Sequence, residues 1–207
     1  MNLAFIGIGN VGFALADRLQ KLGHRVVVGH DNLQSKSVLK ALDQNPHLLV
    51  VPLQKAIDES EVVFLAIPFM KAQEMLSDLV LEGKVLVDCT NPVGPGISHA
   101  LGTISGSEKI QEWSQAKVIK AFTVYGFENF EDTAFPKYNV LPVMPIAGDD
   151  LETKQEITPL IESLGFEVLD VGPLSSALHL EHMTLLWVKM VRMQGRDPRF
   201  TWGLLQK

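Results

Sequence analysis

Short apolar runs of strand length alternate with longer amphipathic stretches along most of the chain. This alternation is typical of βαβ units, which build a parallel sheet with helices on its faces. After the first run, Ala14, Leu15, Leu19 and Leu22 recur at helical spacing, and Gly23 then ends the predicted helix as a left-handed cap. The predicted strands are Leu3–Ile8, Arg25–Gly29, Val62–Ile67, Val85–Asp88, Lys117–Phe122, Leu141–Ala147 and Glu167–Val171, with a short strand near Leu48–Pro52. The pattern therefore predicts an α/β protein with a doubly wound, mostly parallel sheet.

Two long segments interrupt the alternation and are predicted to be loops. Residues 91–106 are rich in Gly, Pro and Ser, and residues 123–142 are rich in aromatic residues, Asn and Pro. Both follow predicted strands, and open α/β sheets bind their ligands at that edge. A final helix is predicted over Ser175–Met193, and it is apolar on nearly every side. Such a helix is either buried within its own chain or forms half of a dimer interface.

Composition and charge narrow the class of protein. The chain has 207 residues, of which 46% are hydrophobic and 20% charged, with a formal net charge of -6. These values are typical of a soluble globular protein, and the negative charge disfavours nucleic acid and anionic membranes as partners. No apolar stretch approaches the roughly 20 residues that cross a bilayer, and the basic start and cleavage site of a signal peptide are missing. We therefore expect a cytoplasmic protein whose single cysteine, Cys89, is a small buried hydrophobe.

A glycine motif stands between the first predicted strand and the first predicted helix. The motif is a complete GxGxxG and reads Gly7-Ile8-Gly9-Asn10-Val11-Gly12. In this context the first glycine permits a tight turn, the second lets the backbone approach a pyrophosphate, and the third lets helix and strand pack closely. The amino terminus of the helix adds free N–H groups and a partial positive charge. The motif predicts a Rossmann-type fold that binds a dinucleotide.

The end of the second predicted strand bears on which dinucleotide is bound. Asp31 lies about twenty residues beyond the motif, where a carboxylate accepts hydrogen bonds from the adenosine ribose, and this position favours NAD. The 2′-phosphate of NADP would need positive charge there, and only His30 and the more distant Lys36 supply it. Asn32 completes the same segment. Alternatively, Asp31 caps the helix that follows.

Several segments beyond the glycine motif carry a resemblance to a known family. Together with the motif, residues 61–68 (EVVFLAIP) and 172–177 (GPLSSA) resemble the NADP oxidoreductases that depend on the deazaflavin coenzyme F420. They are also similar to the related cytosolic domain of the six-transmembrane metalloreductases. The more discriminating segments are residues 148–150 (GDD) and 169–175 (LDVGPLS), and the resemblance covers nearly the whole chain. The chain departs from the family where GHD at residues 29–31 replaces the usual Gly-Ser-Arg, which puts a carboxylate in place of the arginine that recognises the 2′-phosphate.

The resemblance implies hydride transfer between a nicotinamide dinucleotide, NADP or NAD, and a flat deazaflavin or flavin acceptor. Such a transfer needs stacking and alignment more than acid–base groups, so no catalytic side chain is expected. By resemblance, the residues that border the nicotinamide ring and its ribose are Ala66, Ile67, Pro68, Asn91, Pro92 and Thr123. Thr123 stands where many relatives have Asn and retains a hydrogen-bonding group there.

An acceptor pocket is also implied by the resemblance. Phe69, Val124 and Tyr125 would form its floor, and for Phe69 and Tyr125 the alternative is plain packing. The anionic tail of a deazaflavin would need local positive charge in an acidic protein, and Lys120 and Lys137 are the candidates to provide it.

Chain length bears on where the acceptor binds. Hydroxyisobutyrate-type, 6-phosphogluconate-type and pyrroline carboxylate-type reductases resemble the first half of the chain, but they add a large helical domain that builds their substrate site. We expect a single domain over residues 1–207, with a nucleotide-binding core at about 1–125 and further strands and a helix at about 140–195 that complete the sheet and the acceptor pocket. The expected partner is a small-molecule redox acceptor, with a homodimer through the C-terminal helix as a further possibility.

Two other functions stay open at this point. One is a flavin or ferric reductase that places a flavin between the nicotinamide and a metal, and the other is a non-catalytic dinucleotide sensor or partner-binding module. His179 and His182, with Glu181 between them, could ligate a metal, but two ligands do not make a site, so no metal is expected. Ser98 next to His99 forms no recognised hydrolase motif.

Overall fold

Eight strands form one sheet in the computed structural model, which describes residues 1–138, 140–205 and 207. Along the sheet the strands are β10 (Glu167–Asp170), β9 (Val143–Gly148), β8 (Lys117–Lys120), β5 (Val85–Asp88), β4 (Val62–Leu65), β1 (Asn2–Ile6), β2 (Arg25–Gly29) and β3 (Leu49–Val51). Neighbouring strands are parallel except β8 and β9, where Ile119 pairs with Gly148 in the antiparallel sense. The predicted fold class is therefore confirmed: the chain forms a Rossmann-type, doubly wound, mostly parallel α/β domain.

Helices cover both faces of this sheet. Eight α-helices occur in the described part of the chain, together with 3-10 turns at Phe69–Lys71 and Leu174–Ser176. The helices are α1 (Asn10–Lys21), α2 (Lys36–Gln44), α3 (Leu53–Asp58), α4 (Ala72–Ser77), α5 (Gly106–Ser114), α6 (Glu128–Glu131), α7 (Leu151–Ser163) and α8 (Ala177–Arg192). A small antiparallel hairpin, β6 (Val93–Gly94) and β7 (Ser98–His99), lies outside the main sheet.

The central strands are apolar throughout because helices bury them on both sides. Every residue of β4 and of β5 is buried, which is the continuous pattern expected of an interior parallel strand. Phe5 of β1 stacks on Phe64 of β4 with ring centroids 4.6 Å apart, and Phe122 and Phe130 extend this aromatic cluster. The carboxyl ends of β1, β4, β5 and β8 meet at one edge of the sheet, so the loops that follow them are brought together there.

The structure refines the predicted boundaries at the points where turns begin. The first strand stops at Ile6 because Gly7 has a φ of 97°. The predicted strand Leu141–Ala147 is shifted to Val143–Gly148, and its antiparallel direction was not foreseen. The two predicted loops also contain structure, because the hairpin β6–β7 lies within residues 91–106 and α6 lies within residues 123–142.

The C-terminal helix α8 is packed largely within the chain. Leu180, Glu181, Thr184 and Trp187 are buried against the rest of the molecule, whereas Leu186 is 51% exposed. The dimer interface predicted for this helix stays a prediction. No helix in the described part of the chain combines the length and apolarity needed to cross a bilayer.

Candidate functional site

The glycine motif forms a tight cradle between β1, α1 and the end of β4. A Cβ atom on Gly7 would lie 2.6 Å from the Ile67 side chain and still closer to the Ala66 carbonyl, in addition to the unfavourable φ of 97°. A Cβ on Gly12 would collide with the carbonyl oxygen of Gly7. These two glycines are therefore required by the fold itself, whatever the protein binds.

Gly9 differs from the other two glycines of the motif. A Cβ placed on it would meet nothing within 4 Å, so the fold does not require a glycine at this position. Gly9 is the N-cap residue of α1 and lacks a side chain to cap the first N–H groups of the helix. Open space in front of uncapped N–H groups at a helix amino terminus is the geometry that accepts a pyrophosphate.

A cleft of about 450 Å³ runs from this cradle between the ends of β2 and β4. Most of the predicted cofactor residues of this region share it. It is lined by Ile6, Gly7, Ile8, Gly9, Gly29, His30, Asp31, Asn32, Ser37, Leu53, Ala66, Ile67, Pro68, Lys71 and Met75. No local motif marks the other residues that line a cleft, so the sequence did not identify Ile6, Gly29, Ser37, Leu53, Lys71 and Met75.

A second cleft, also of about 450 Å³, lies on the other side of Gly9. Lys36 lines this cleft and not the one that holds Asp31. The lining residues are Ile8, Gly9, Asn10, Phe13, Lys36, Ser37, Lys40, Ala41, Gln44, Phe127 and Glu131. Lys40 was missed in the sequence, although its spacing from Lys36 on a helix puts both ammonium groups on one face. Its Nζ donates to the side-chain oxygen of Asn10 at 3.3 Å.

Asp31 is partly committed to the fold. Its Oδ1 accepts the backbone N–H of Leu53 at 3.0 Å, the first residue of α3. The alternative that Asp31 caps the helix that follows it is corrected by this contact, because Ser35 caps α2 and Asp31 serves the later helix α3. His30 is also held locally, since its Nδ1 accepts the Asn32 N–H at 2.9 Å.

The predicted nicotinamide end lies where the loops after β5 and β8 meet. Here the side-chain oxygens of Thr90, Asn91 and Thr123 are buried and have no hydrogen-bond partner within the described residues. Pro92 is buried beside them, and its carbonyl accepts the Ala100 N–H at 2.8 Å. Unpaired buried oxygens are costly, and each of these three is closed off from solvent by the surrounding chain.

Backbone strain marks the same edge of the sheet. Phe122, which directly precedes Thr123, has a φ of 57°, a conformation that is rare for a bulky side chain. Its N–H faces the Met144 sulfur at 3.2 Å and not a carbonyl oxygen. Strain of this kind persists where the surrounding structure imposes it, and it concentrates at functional sites.

The three residues expected to floor an acceptor pocket lie elsewhere. Tyr125 is buried in the core and donates its hydroxyl to the Val143 carbonyl at 2.7 Å, and burial raises the pKa of this phenol well above its ordinary value. Val124 is buried beneath Trp202, and Phe69 packs against Trp113 with ring centroids 5.7 Å apart. All three therefore pack the interior, and none lines either cleft beside the glycine motif.

The two lysines expected to meet an anionic acceptor also need correction. Lys120 is fully buried and forms an ion pair with Asp88 at 3.0 Å, so its charge is already neutralised inside the protein. Lys137 is exposed and lines a separate groove with Tyr138, Arg199 and Trp202. Lys120 ends an apolar strand, and nothing in its local sequence indicates a carboxylate partner far along the chain.

The remaining candidates from the sequence occupy ordinary positions. His179 and His182 are exposed on α8, and the ring of His182 packs against that of His99 with centroids 5.1 Å apart. Cys89 is buried, and burial raises the pKa of its thiol far above the ordinary value. Its thiol is therefore held protonated and unreactive.

Comparison with known proteins identifies the relatives of the chain. Residues 2–92, which contain the glycine cradle, the loop after β4 and the first residues after β5, match the family model described as NADP oxidoreductase, coenzyme F420-dependent. Metalloreductase STEAP3 of Rattus norvegicus is 32% identical over 188 residues, which is 88% of this chain and 36% of that protein. The chain thus spans about a third of the length of the metalloreductases that it matches.

Solved structures share the fold. A candidate F420-dependent NADP reductase from Arthrobacter sp. FB24 superposes with a TM-score of 0.81 at 23% identity, and the match covers all of both chains. A reductive aminase from Aspergillus terreus, solved with NADPH and ethyl-5-oxohexanoate, superposes with a TM-score of 0.66 at 18% identity, over 94% of this chain and 62% of that one. The resemblance seen in the sequence is therefore confirmed: the chain is related to the F420-dependent NADP oxidoreductases and to the metalloreductases, which are oxidoreductases.

Proposed function

We propose that the protein binds NADP(H) at the glycine cradle and exchanges a hydride with a flat second cofactor, a deazaflavin or a flavin. The observation that carries the proposal is the open space in front of Gly9, at the uncapped start of α1, next to a cleft that continues toward Pro68. The match of residues 2–92 to the F420-dependent family supports the same conclusion.

Under this proposal, different parts of the site bind different parts of the dinucleotide. The N–H groups at the start of α1 hold the pyrophosphate, and the cleft between His30–Asn32 and Pro68–Met75 takes the adenosine end. The nicotinamide end extends past Ala66 and Ile67 toward Asn91 and Thr123. The dinucleotide supplies the hydride chemistry, so the protein's contribution is to hold the reacting ring at a fixed distance and angle.

We propose NADP(H) as the preferred nucleotide, bound with an affinity only slightly higher than that for NAD(H). The family that matches is named for NADP, and the Aspergillus reductive aminase was solved with NADPH. Lys36, Lys40 and Lys71 line the two clefts, and one oxygen of Asp31 is already occupied by the Leu53 N–H. The Asp31 carboxylate keeps this preference small, because its negative charge repels a 2′-phosphate.

A second candidate activity follows from the relation to the metalloreductases. In that case a bound flavin would take the hydride and pass its two electrons, one at a time, to two molecules of a ferric chelate as the final substrate. The two activities share the nucleotide site and differ only in the acceptor, so one assay separates them.

The test is a spectrophotometric assay of NADPH oxidation with separate acceptors. A deazaflavin, FMN, FAD and a ferric chelate are offered singly, and the chelate is also offered together with each flavin. We expect turnover with the deazaflavin or with a flavin; turnover of the chelate only when a flavin is present would favour the metalloreductase-like activity. Tight nucleotide binding without turnover of any acceptor would overturn the enzyme proposal in favour of a dinucleotide sensor.

A further inference from the structure

The cleft between the ends of β2 and β4, which we call the adenosine cleft, carries opposite charges on its two walls. Asp31 follows β2 on one wall, and Lys71 ends the 3-10 turn after β4 on the other. Strand β1 lies between β2 and β4 in the sheet, so two strand spacings, about 10 Å, separate the walls. A gap of this width is large enough for a ribose and its substituents. Ligands can reach both charges, because Asp31 and Lys71 are exposed.

The ammonium group of Lys71 is available to a ligand. Among the described residues that line the adenosine cleft, Lys71 is the one lysine, and arginine is absent. Its Nζ makes no ion pair and no hydrogen bond with any residue that the structure describes. Neighbouring lysines are engaged, since Lys55 lies 3.9 Å from Glu59 and Lys40 donates to Asn10 at 3.3 Å. The positive charge of this cleft therefore comes from the loop after β4.

The Asp31 carboxylate is available through one of its two oxygens. Oδ1 accepts the Leu53 N–H at 3.0 Å, and this bond fixes the carboxylate against the start of α3. Oδ2 accepts no hydrogen bond from the described part of the chain, and no ion pair joins Asp31 to Lys71 there. The two opposite charges thus share an open cleft without neutralising each other, and a ligand between them can use either one.

The other cations near the glycine cradle belong to a different cleft. Lys36 and Lys40, both on α2, line the cleft on the other side of Gly9 and not the adenosine cleft. Position 31 follows β2, where the resemblance places an arginine, and it holds a carboxylate in this chain. A cation that meets the adenosine ribose in the same cleft as Asp31 must therefore reach it from the opposite wall, where Lys71 lies.

We propose that Lys71 is the specificity residue for NADP(H): its ammonium group binds the 2′-phosphate from the wall opposite Asp31, and Oδ2 of Asp31 binds the ribose hydroxyls of NAD(H). This inference rests on the proposed dinucleotide function and assigns each nucleotide its own residue. A lysine pairs with a phosphate as a compact charge, and a carboxylate accepts hydrogen bonds from the 2′- and 3′-hydroxyls. The cleft accepts both nucleotides, and the two charges shift the preference in opposite directions.

The test measures the Kd for NADPH and for NADH by calorimetric titration of the full chain. Lys71→Met removes the ammonium group and keeps an unbranched side chain. The Kd for NADPH should rise by about tenfold or more, as for a lost charge-assisted hydrogen bond, and the Kd for NADH should stay within about twofold of wild type. Adenosine 2′,5′-bisphosphate should lose affinity in the same way and AMP should not, because Lys71 acts at the adenosine end.

Asp31→Asn should have the opposite effect. The amide oxygen can still accept the Leu53 N–H, so the fold is kept while the negative charge is removed. The Kd for NADH should rise by about fivefold, and the Kd for NADPH should fall because the repulsion of the 2′-phosphate is lost. A rise in both Kd values would contradict the assignment of the two charges to different nucleotides.

Three further lysine variants complete the test. Lys71→Arg keeps the positive charge and should retain the affinity for NADPH within about threefold. Lys55→Met removes an exposed ammonium group from α3 that lines neither cleft, so it is the matched control and should change neither Kd. Lys36→Met tests the competing cation. A selective loss of NADPH affinity in Lys36→Met, with wild-type affinity in Lys71→Met, would overturn the proposal.

The proposed function and this inference fail in different ways. Wild-type protein that binds neither NADPH nor NADH would contradict the proposed function itself. Equal weakening of both nucleotides by Lys71→Met, or unchanged affinity for both, would remove the role of Lys71 and leave the dinucleotide site standing.

Discussion

The two ends of the proposed dinucleotide site are built in opposite ways. The adenosine end is open: Asp31 is exposed, as is Lys36 in the neighbouring cleft, and the residues that line it come mainly from short segments that follow β1, β2 and β4. The nicotinamide end is closed, and its supports come from distant parts of the chain, such as His99 and Glu181, which are 82 positions apart. The proposed phosphate cradle thus depends on a local motif, whereas the proposed nicotinamide end depends on buried contacts between distant parts of the chain.

The largest expected effect is a loss of stability when the buried ion pairs at the nicotinamide end are removed. Lys120→Met leaves two buried carboxylates without their cation, so the free energy of unfolding should fall by about 3–5 kcal/mol. Lys36→Met at the open end should change it by less than about 0.5 kcal/mol. Urea unfolding of both variants measures the difference, and equal losses would show that the two ends are not built differently.

The next largest effect is expected at the phosphate cradle, where a substitution should weaken nucleotide binding and change stability little. Gly9→Val places a side chain where the free protein has open space, so the free energy of unfolding should change by less than about 1 kcal/mol. The Kd for NADPH should rise by about a hundredfold or more, equivalent to about 2.7 kcal/mol. Gly12→Val is the control that should unfold the protein, because its side chain meets the Gly7 carbonyl. Retained affinity in Gly9→Val would contradict the pyrophosphate assignment.

Asp31→Arg tests nucleotide preference at the adenosine end. The new guanidinium faces a 2′-phosphate, so the ratio of the Kd for NADH to that for NADPH should rise by about tenfold. Loss of the bond to the Leu53 N–H should also cost about 1 kcal/mol of stability. Asp149→Arg, which loses a similar bond to the Leu174 N–H, should cost a similar amount of stability without changing the ratio. A ratio unchanged by Asp31→Arg would mean that this carboxylate does not face the ribose.

The smallest effect concerns the unpaired hydroxyls. Thr123→Val removes a buried oxygen that has no partner, so it should stabilise the nucleotide-free protein by up to about 1 kcal/mol. Thr184→Val removes a hydroxyl that donates to Thr123 and also lies 3.1 Å from the Leu180 carbonyl, so it should destabilise by about 1 kcal/mol. Thermal unfolding without nucleotide compares the two, and a loss of stability in Thr123→Val would show that its hydroxyl is paired.

The same contrast explains what could be predicted from the sequence. The order of strands and helices and the glycine cradle followed from local patterns, since GxGxxG between an apolar run and an amphipathic stretch has one structural meaning. The antiparallel β9 could not be foreseen, because its residues are apolar whichever way the strand runs. Tyr125 is an aromatic residue in a predicted loop, and the resemblance implied a place for it in a pocket. It packs in the core instead, where its hydroxyl donates to the Val143 carbonyl. Its role depends on a partner that no sequence pattern identifies.

Charged residues were the hardest to place. Lys120 lies beside apolar neighbours in a strand, and only the fold brings Asp88 and Glu181 to it. Asp31 follows β2 as predicted, but its hydrogen bond to the Leu53 N–H depends on where α3 begins in space. The fold brings buried polar partners together from distant parts of the chain, so the local sequence does not identify them.

The most direct test of the account is a calorimetric titration of NADPH into the wild-type protein, with Gly9→Val titrated in parallel. We expect saturable binding of one nucleotide per chain to the wild type and its loss in the variant. The absence of binding to the wild type at about 1 mM NADPH, or equal binding to both proteins, would contradict the claim that the glycine cradle holds a dinucleotide.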